Sequence, residues 1–106
     1  MNIKIDTPGG GLKEWIPEHV KNKLLEVHHR YQKVSNFQVI FKNEPEAIKT
    51  CEIIVGDFGD SLFISKSSNT FEMAMRKAVD ELFEKMEEWV RLKNEPPEES
   101  VSTVNV

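Results

Sequence analysis

One stretch constrains the fold of this chain more than any other: residues 51–86, which read CEIIVGDFGDSLFISKSSNTFEMAMRKAVDELFEKM. Two short runs of strand-forming residues, CEIIV and LFIS, flank the glycine-containing segment GDFGD, a pattern that predicts a β-hairpin. A long amphipathic helix is predicted to follow, because apolar residues then recur at three- and four-residue steps. These residues are Phe71, Met75, Val79, Leu82 and Met86. The hairpin and the helix are therefore expected to bury their apolar faces against each other.

Capping residues mark the start of this helix. Asn69 or Thr70 can accept a hydrogen bond from a free backbone N–H group of the first helical turn. Asn69 and Glu72 also have the spacing of a capping box, in which two side chains satisfy two backbone donors. We therefore expect the helix to cover about residues 70–93.

Three further elements are predicted before the hairpin. The alternation in NIKID indicates a short strand, and VSNFQVIFK indicates a longer one. Between them a helix is expected to begin close to Pro17, which is tolerated only in a first turn, and to end near Gln32. Its apolar stripe is Ile16, Val20, Leu24, Val27 and Tyr31. The order β-α-β-β-β-α predicts an α+β fold: a four-stranded, mostly antiparallel sheet with two helices packed on one face.

Alternation along the predicted strands assigns each side chain to one face of the sheet. Cys51 falls on the inward side and is expected to be a buried thiol. Ile40, Ile54 and Phe63 fall on the outward side, where an exposed apolar strip often marks a protein contact. Outside the strands, Trp15 near the start of the first helix is expected to pack at the edge of the core, and so is Trp89 in the second.

Length and composition fit one globular domain. The chain has 106 residues, of which 39% are hydrophobic and 30% charged. We expect residues 1–94 to form the domain and residues 95–106 to be a disordered acidic tail without apolar periodicity. No apolar run approaches the ~18 residues of a membrane span, and the N-terminus lacks the apolar segment of a signal peptide. A single cysteine excludes an internal disulfide bond, so a reducing, cytoplasmic location is predicted.

The net charge of −4 is unevenly distributed along the chain. Residues 1–42 contain seven Lys or Arg residues and four acids, a balance of +3. Residues 43–106 contain seven Lys or Arg residues and fourteen acids, a balance of −7. An acidic protein can therefore still present a local anion-binding surface in its first half.

The sequence carries no motif that argues for catalysis, a metal ion or a cofactor. Three glycines precede the first helix, but GGGLKEW lacks the Gly-Lys-Ser/Thr ending of a phosphate-binding loop. His28 and His29 point about 100° apart on a helix and cannot easily share a metal ion, although an exposed histidine can stack on an RNA base. We therefore predict a protein that is not an enzyme and needs no cofactor.

An ordered set of segments covers residues 1–93: MNIKI, HVKNKLLEV, FQVIFK, CEIIV before a glycine-containing turn, and LFIS before a capped helix with AMRKAVDEL. The set resembles the short form of the ribosome hibernation-promoting factors and ribosome-associated inhibitors, also called sigma-54 modulation proteins. The resemblance implies a fold like that of a double-stranded-RNA-binding domain. It also implies a stress-induced inhibitor that occupies the mRNA and tRNA channel of the small ribosomal subunit, without catalysis.

The resemblance further implies that basic side chains contact ribosomal RNA, because phosphate contacts position a protein on RNA without reading its sequence. The candidates are Lys21, Lys23, Arg30, Lys33, Lys42, Arg76 and Lys77. The second helix departs from the family pattern, since acids stand where basic or neutral residues are common. These acids are Glu81, Glu84, Glu87 and Glu88. The RNA-facing surface is therefore expected to be the first helix and the start of the second.

The sequence leaves two functions open. In the first, the chain is a translation inhibitor whose partners are the RNA and proteins of the small ribosomal subunit. In the second, it is a protein-interaction module of the same fold that uses either the acidic second helix or the outer sheet face with Ile40, Ile54 and Phe63. Weak pairing of two copies is one form of that contact. Neither function requires a membrane or a small-molecule substrate.

Overall fold

Six main elements follow one another in the predicted order. The computed structural model describes residues 1–32, 34–57 and 60–94. The elements are β1 (Asn2–Asp6), α1 (Trp15–Arg30), β2 (Asn36–Glu44), β3 (Ile48–Asp57), β4 (Asp60–Ser68) and α2 (Phe71–Asn94), with a short 3₁₀ turn, Pro45–Ala47, between β2 and β3. Helix α1 ends at Arg30, two residues before the predicted Gln32. The predicted tail, residues 95–106, lies outside the described residues.

The four strands form one sheet in the order β1-β2-β3-β4. Strand β1 runs parallel to β2, whereas β2 with β3 and β3 with β4 are antiparallel pairs. A parallel neighbour requires a crossover connection, which α1 provides, while antiparallel neighbours can be joined by short turns. The prediction of a mostly antiparallel, four-stranded sheet is therefore confirmed.

Both helices pack on the same face of this sheet, as predicted, and one core lies between them and the strands. The register places Phe41 beside Cys51 and Val39 beside Ile53, so inward-facing side chains of neighbouring strands stand together. The predicted stripes of α1 and α2 are buried against them, except that Tyr31 is only partly buried. In the part of the chain that the structure describes, neither helix is both long and apolar enough to cross a membrane.

Helix α2 is capped by Thr70. Its hydroxyl oxygen accepts a hydrogen bond from the backbone N–H of Met73 at 3.1 Å. The predicted capping box of Asn69 and Glu72 is not the arrangement found, because Glu72 instead accepts from Arg76 Nε at 3.1 Å. With Thr70 at the cap, the third helical residue is Met73, whose side chain cannot accept the reciprocal bond of a capping box as Glu or Gln would.

Candidate nucleic-acid interface

A groove runs between α1 and α2 on the side away from the sheet. The two helices run in the same direction, because Trp15 contacts Arg76 near their starts and Arg30 contacts Phe83 farther along both. The groove contains a depression of about 270 Å³. It is lined by His19 and Lys23 of α1 and by Met75, Arg76, Val79, Asp80 and Phe83 of α2. Its floor is apolar, since Met75 and Val79 belong to the buried core.

One end of the groove is formed by Trp15, His19 and Arg76. The Arg76 guanidinium carbon lies 5.9 Å from the centroid of the Trp15 ring, and the edge of His19 meets the same ring at 6.0 Å. Trp15 keeps 41% of its surface exposed. The prediction that Trp15 packs at the core edge is therefore wrong, because Trp15 lies about 100° around the helix from the buried Ile16. The side chain of Trp89 lies outside what the structure describes.

A second contact between guanidinium and aromatic ring lies at the other end of the groove. The Arg30 guanidinium carbon is 5.8 Å from the centroid of Phe83 and 6.0 Å from that of Tyr31. Lys23 lies between the two ends and pairs with Glu26 at 3.6 Å. Cation–π contacts at exposed sites contribute about 0.5–1 kcal/mol each, enough to bias the orientation of a long arginine side chain. The groove thus presents two oriented guanidinium groups with Lys23 between them.

The structure divides the predicted RNA-binding residues. Lys23, Arg30 and Arg76 flank the groove. Lys21 is two positions from Lys23, so it projects about 200° around α1 on a different side. Lys77 also lies off the groove, because its Nζ donates to the backbone carbonyl of Ser67 in β4 at 3.4 Å.

The remaining predicted residues are not part of this groove either. Lys42 projects from the outer face of the sheet, where its Nζ lies 3.1 Å from a carboxylate oxygen of Glu52. Lys33 lies outside the described residues. His28 is half-buried and its Nδ1 lies 2.9 Å from the carbonyl oxygen of Val34, so it serves the connection between α1 and β2, whereas His29 is exposed.

The sequence analysis did not assign to a common site the three aromatic residues that complete the groove, Trp15, His19 and Phe83. Trp15, His19 and Lys23 follow one another at four-residue spacing and share one side of α1. Phe83 stands seven residues after Arg76, again on one helical side. The signal was therefore present, but only the pairing of α1 with α2 shows that these two stripes face each other.

Charge in the groove is balanced rather than strongly positive. Lys23, Arg30 and Arg76 supply three positive charges. Glu26, Glu72 and Asp80 supply three negative ones, and two of these acids pair with groove cations. Farther along α2, Glu84, Glu87 and Glu88 are exposed. An RNA ligand would therefore need stacking on aromatic groups as well as phosphate contacts.

The outer face of the sheet carries the predicted apolar strip. Phe63 is 58% exposed and stands beside Ile54 in the register of β3 and β4. Ile40 and Ile54 are half-buried, and Ile40 stands beside Glu52. The placement of the three side chains on one face is confirmed, whereas their use as a protein contact stays a prediction.

Comparison with known proteins bears on the fold. No protein-family model matches the sequence, and no curated protein matches it either. Among solved structures, a ribosomal subunit interface protein from Coxiella burnetii superposes with a TM-score of 0.72 at 17% identity, over 84% of this chain and 97% of that one. The N-terminal domain of Thermus thermophilus Protein Y superposes with a TM-score of 0.67 at 23% identity, over 84% and 99%. The chain therefore has the α+β fold of a ribosomal subunit interface protein, which is the fold that its resemblance to hibernation-promoting factors implied.

Proposed function

We propose that this chain is a ribosome hibernation factor that binds the small ribosomal subunit and inhibits translation under stress. It occupies the channel used by mRNA and tRNA and acts by occupancy, without catalysing a reaction. The segment resemblance over residues 1–93 supports this role. The fold shared with a ribosomal subunit interface protein is consistent with this role.

The observation that carries the proposal is the pair of guanidinium–aromatic contacts across the helix groove, Arg76 with Trp15 and Arg30 with Phe83. RNA offers phosphates and unstacked bases, and this groove offers guanidinium groups beside aromatic rings. An arginine that stacks on a ring still has N–H donors to bind phosphate in a bidentate manner. The groove therefore suits an RNA loop, whose bases can stack on the rings while its phosphates bind the guanidinium groups.

The acids of α2 limit how the RNA lies on the protein. Exposed carboxylates beyond Asp80 would repel phosphates within about one Debye length, roughly 8 Å at physiological ionic strength. In the proposed complex the RNA therefore follows α1 and the start of α2. The acidic end of α2 points away from the RNA or meets a basic ribosomal protein.

Reversal of the two guanidinium groups tests the proposal. The double variant Arg30→Glu/Arg76→Glu should bind purified small subunits at least about tenfold more weakly at low salt. Its plot of log affinity against log salt should be shallower by about 2, because each lost phosphate contact removes roughly one from the slope. Binding is measured by co-sedimentation with small subunits at several salt concentrations.

The chain offers a matched control on the other sides of the same helices. Lys21→Glu/Lys77→Glu changes the net charge by the same amount but alters side chains that lie off the groove. This variant should bind within about threefold of the unmodified protein, since distant exposed charges are screened. Circular dichroism verifies that both variants are folded. Equal affinity and salt slope for the groove variant and the unmodified protein would refute the role of the groove.

A further inference from the structure

The outer face of the sheet holds a second candidate site, on the opposite side of the molecule from the helix groove. We propose that this face binds an unpaired base of single-stranded RNA, with Phe63 as the stacking platform. The site is independent of the helix groove and uses none of its residues. It would let the protein contact RNA strands on two sides.

One row of side chains across the four strands supplies the chemistry. Lys4 stands beside Gln38, Gln38 beside Ile54, and Ile54 beside Phe63. The row therefore offers an ammonium group, an amide, an aliphatic contact and an aromatic ring in order. Neighbouring strands are about 4.8 Å apart, so the row spans roughly 14 Å. RNA-recognition sheets stack two or three bases over a four-stranded surface of this kind.

A depression of about 330 Å³ lies along this row, and Ile54, one of its lining residues, stands beside Phe63. It is lined by Asn2, Lys4, Asn36, Phe37, Gln38, Ile54 and Gly56. Gly56 contributes to the depression because it has no side chain, and a Cβ built there would meet no atom within 4 Å. The volume is near the lower end of the roughly 300–1,000 Å³ range of ligand pockets, a size that suits one base rather than a folded partner.

Amides beside the depression match the edge of a base. Asn and Gln side chains carry both a hydrogen-bond donor and an acceptor, and they read bases through both. Gln38 Nε2 donates to Asp6 at 2.9 Å, which leaves the carbonyl oxygen of Gln38 available as an acceptor. Asn2 and Asn36 are exposed and stand beside each other in the register.

The charges named on this face balance, and Lys4 is the cation that can meet a phosphate. Glu52 is paired with Lys42 at 3.1 Å, whereas Asp6 keeps its negative charge and accepts a hydrogen bond from the neutral amide of Gln38. Lys4 has no carboxylate within ion-pair distance among the described residues. A phosphate next to the stacked base would supply that partner.

A protein partner fits this face less well. A stable protein interface buries about 800 Å² on each partner. A fully buried aromatic side chain contributes about 150–250 Å², and Phe63 is accompanied only by Ile40 and Ile54, which are already half-buried. Amides, serines and charged groups surround the three. The apolar strip is therefore large enough for one or two bases and small for a folded protein.

Binding to a fluorescein-labelled oligouridylate of about ten nucleotides tests the proposal, a length within the roughly 4–16 nucleotides that one OB fold binds. Phe63→Leu keeps an apolar side chain but removes the ring, and should weaken binding by about 5- to 100-fold, the loss of one stacked base. Phe63→Trp should restore it. Gly56→Val should weaken binding similarly, because the valine side chain would fill the depression. The variant should still fold, since a β-branched residue suits a strand.

Three controls separate this site from the others. Ser65→Ala, on the same face but outside the row, should bind like the unmodified protein. In the groove variant Arg30→Glu/Arg76→Glu, adding Phe63→Leu should still weaken oligonucleotide binding. A failure of the proposed groove function can therefore be distinguished from a failure of this site. Backbone amide NMR shifts on addition of the oligonucleotide should concentrate at Ile54, Gly56 and Phe63.

Several outcomes would overturn the proposal. One is unchanged affinity in folded Phe63→Leu, and another is NMR shifts confined to α1 and α2. If uridine monophosphate bound as tightly as the oligonucleotide, the face would be a site for free nucleotides instead. If no oligonucleotide bound and sedimentation velocity showed a dimer that Phe63→Leu dissociates, the face would belong to a second copy of the chain.

Discussion

Side chains alternate between the two faces of the sheet, but one face is buried and the other is largely exposed. On the inner face, Phe37, Val39 and Ile53 are almost completely buried under two helices. On the outer face, Gln38, Ile54 and Phe63 occupy the neighbouring positions without a helix over them. Side chains on the inner face are committed to stability, so this comparison directs the search for binding residues to the outer face and to the exposed side of the helix groove.

The largest expected difference between the faces is in thiol reactivity. Cys51 is fully buried on the inner face, and burial, followed by the nearby charge of Glu52, raises its pKa to about 12. Only the thiolate reacts, and reaction requires opening of the core, which costs up to the global stability of about 5–15 kcal/mol. We expect Cys51 to react with an aromatic disulfide reagent at least about 10³-fold more slowly than an outer-face thiol.

The comparison thiol is placed by Cys51→Ala/Ser65→Cys, which moves the single cysteine to the exposed outer face. Both proteins should react equally fast in strong urea, where the core is open. The raised pKa also sets a pH dependence. The folded state holds the Cys51 proton more tightly than the unfolded state does. The contribution of this proton to the free energy of unfolding is therefore complete below about pH 8.5 and falls as pH rises towards 12. Rapid labelling of Cys51 in native buffer would contradict the comparison.

Truncation of a large side chain should be the next largest difference. Leu82 is fully buried in α2, and Leu82→Ala should lower the free energy of unfolding by about 2–5 kcal/mol through the lost transfer energy and the cavity. Phe63→Ala removes a larger side chain but should cost only about 0.2–1 kcal/mol, the value of a cross-strand pair. Urea unfolding followed by circular dichroism measures both, and similar costs would mean that the outer face is covered.

The smallest effect concerns an ion pair at the edge of the inner face. Lys66 of β4 pairs with Glu81 of α2, and the hydrogen bond from Lys66 holds the pKa of Glu81 below its ordinary value. Since the folded state favours the charged carboxylate, the pair stabilises the folded state above the ordinary glutamate pKa of about 4.3. This stabilisation is lost as pH falls through the lowered pKa of Glu81.

The measurement for this pair is the melting temperature of Glu81→Gln against pH. The variant should melt slightly lower than the unmodified protein at pH 7, with a difference that disappears in acid. Glu84→Gln is the control, because Glu84 is exposed on the same helix and has no ion pair among the described residues. If the two substitutions changed the melting temperature equally, the Lys66 contact would contribute no stability beyond the effect of removing one negative charge.

Local patterns were sufficient for the elements and for the two faces of the sheet. The stripe of Phe71, Val79 and Met86 predicted the buried side of α2, and alternation placed Cys51 inward and Phe63 outward. Thr70 and Asn69 were both acceptable caps by sequence, and the structure selects Thr70 through its bond to Met73. The choice of cap depends on which of two adjacent residues precedes the first helical turn, and the sequence pattern cannot resolve a difference of one residue.

The candidate interface was only partly accessible from the sequence. The resemblance identified Lys23, Arg30 and Arg76, but it also grouped Lys42 and Lys77 with them. Charge type is visible in a sequence, whereas the direction of a side chain relative to another element is not. Lys77 follows Arg76 directly, yet one bonds to Ser67 of β4 and the other stacks on Trp15 of α1.

The sequence by itself therefore determined the α+β order of elements, the composition of the core and the uneven charge, because these depend on periodicity within single segments. Only the tertiary structure decided that Arg30 meets Phe83, that Trp15 meets Arg76, and that Lys4 shares a row with Phe63. Each of these arrangements joins residues that are far apart in the chain. They arise from the parallel packing of the two helices and from the strand register. Both are fixed at the same time by the burial of the whole core.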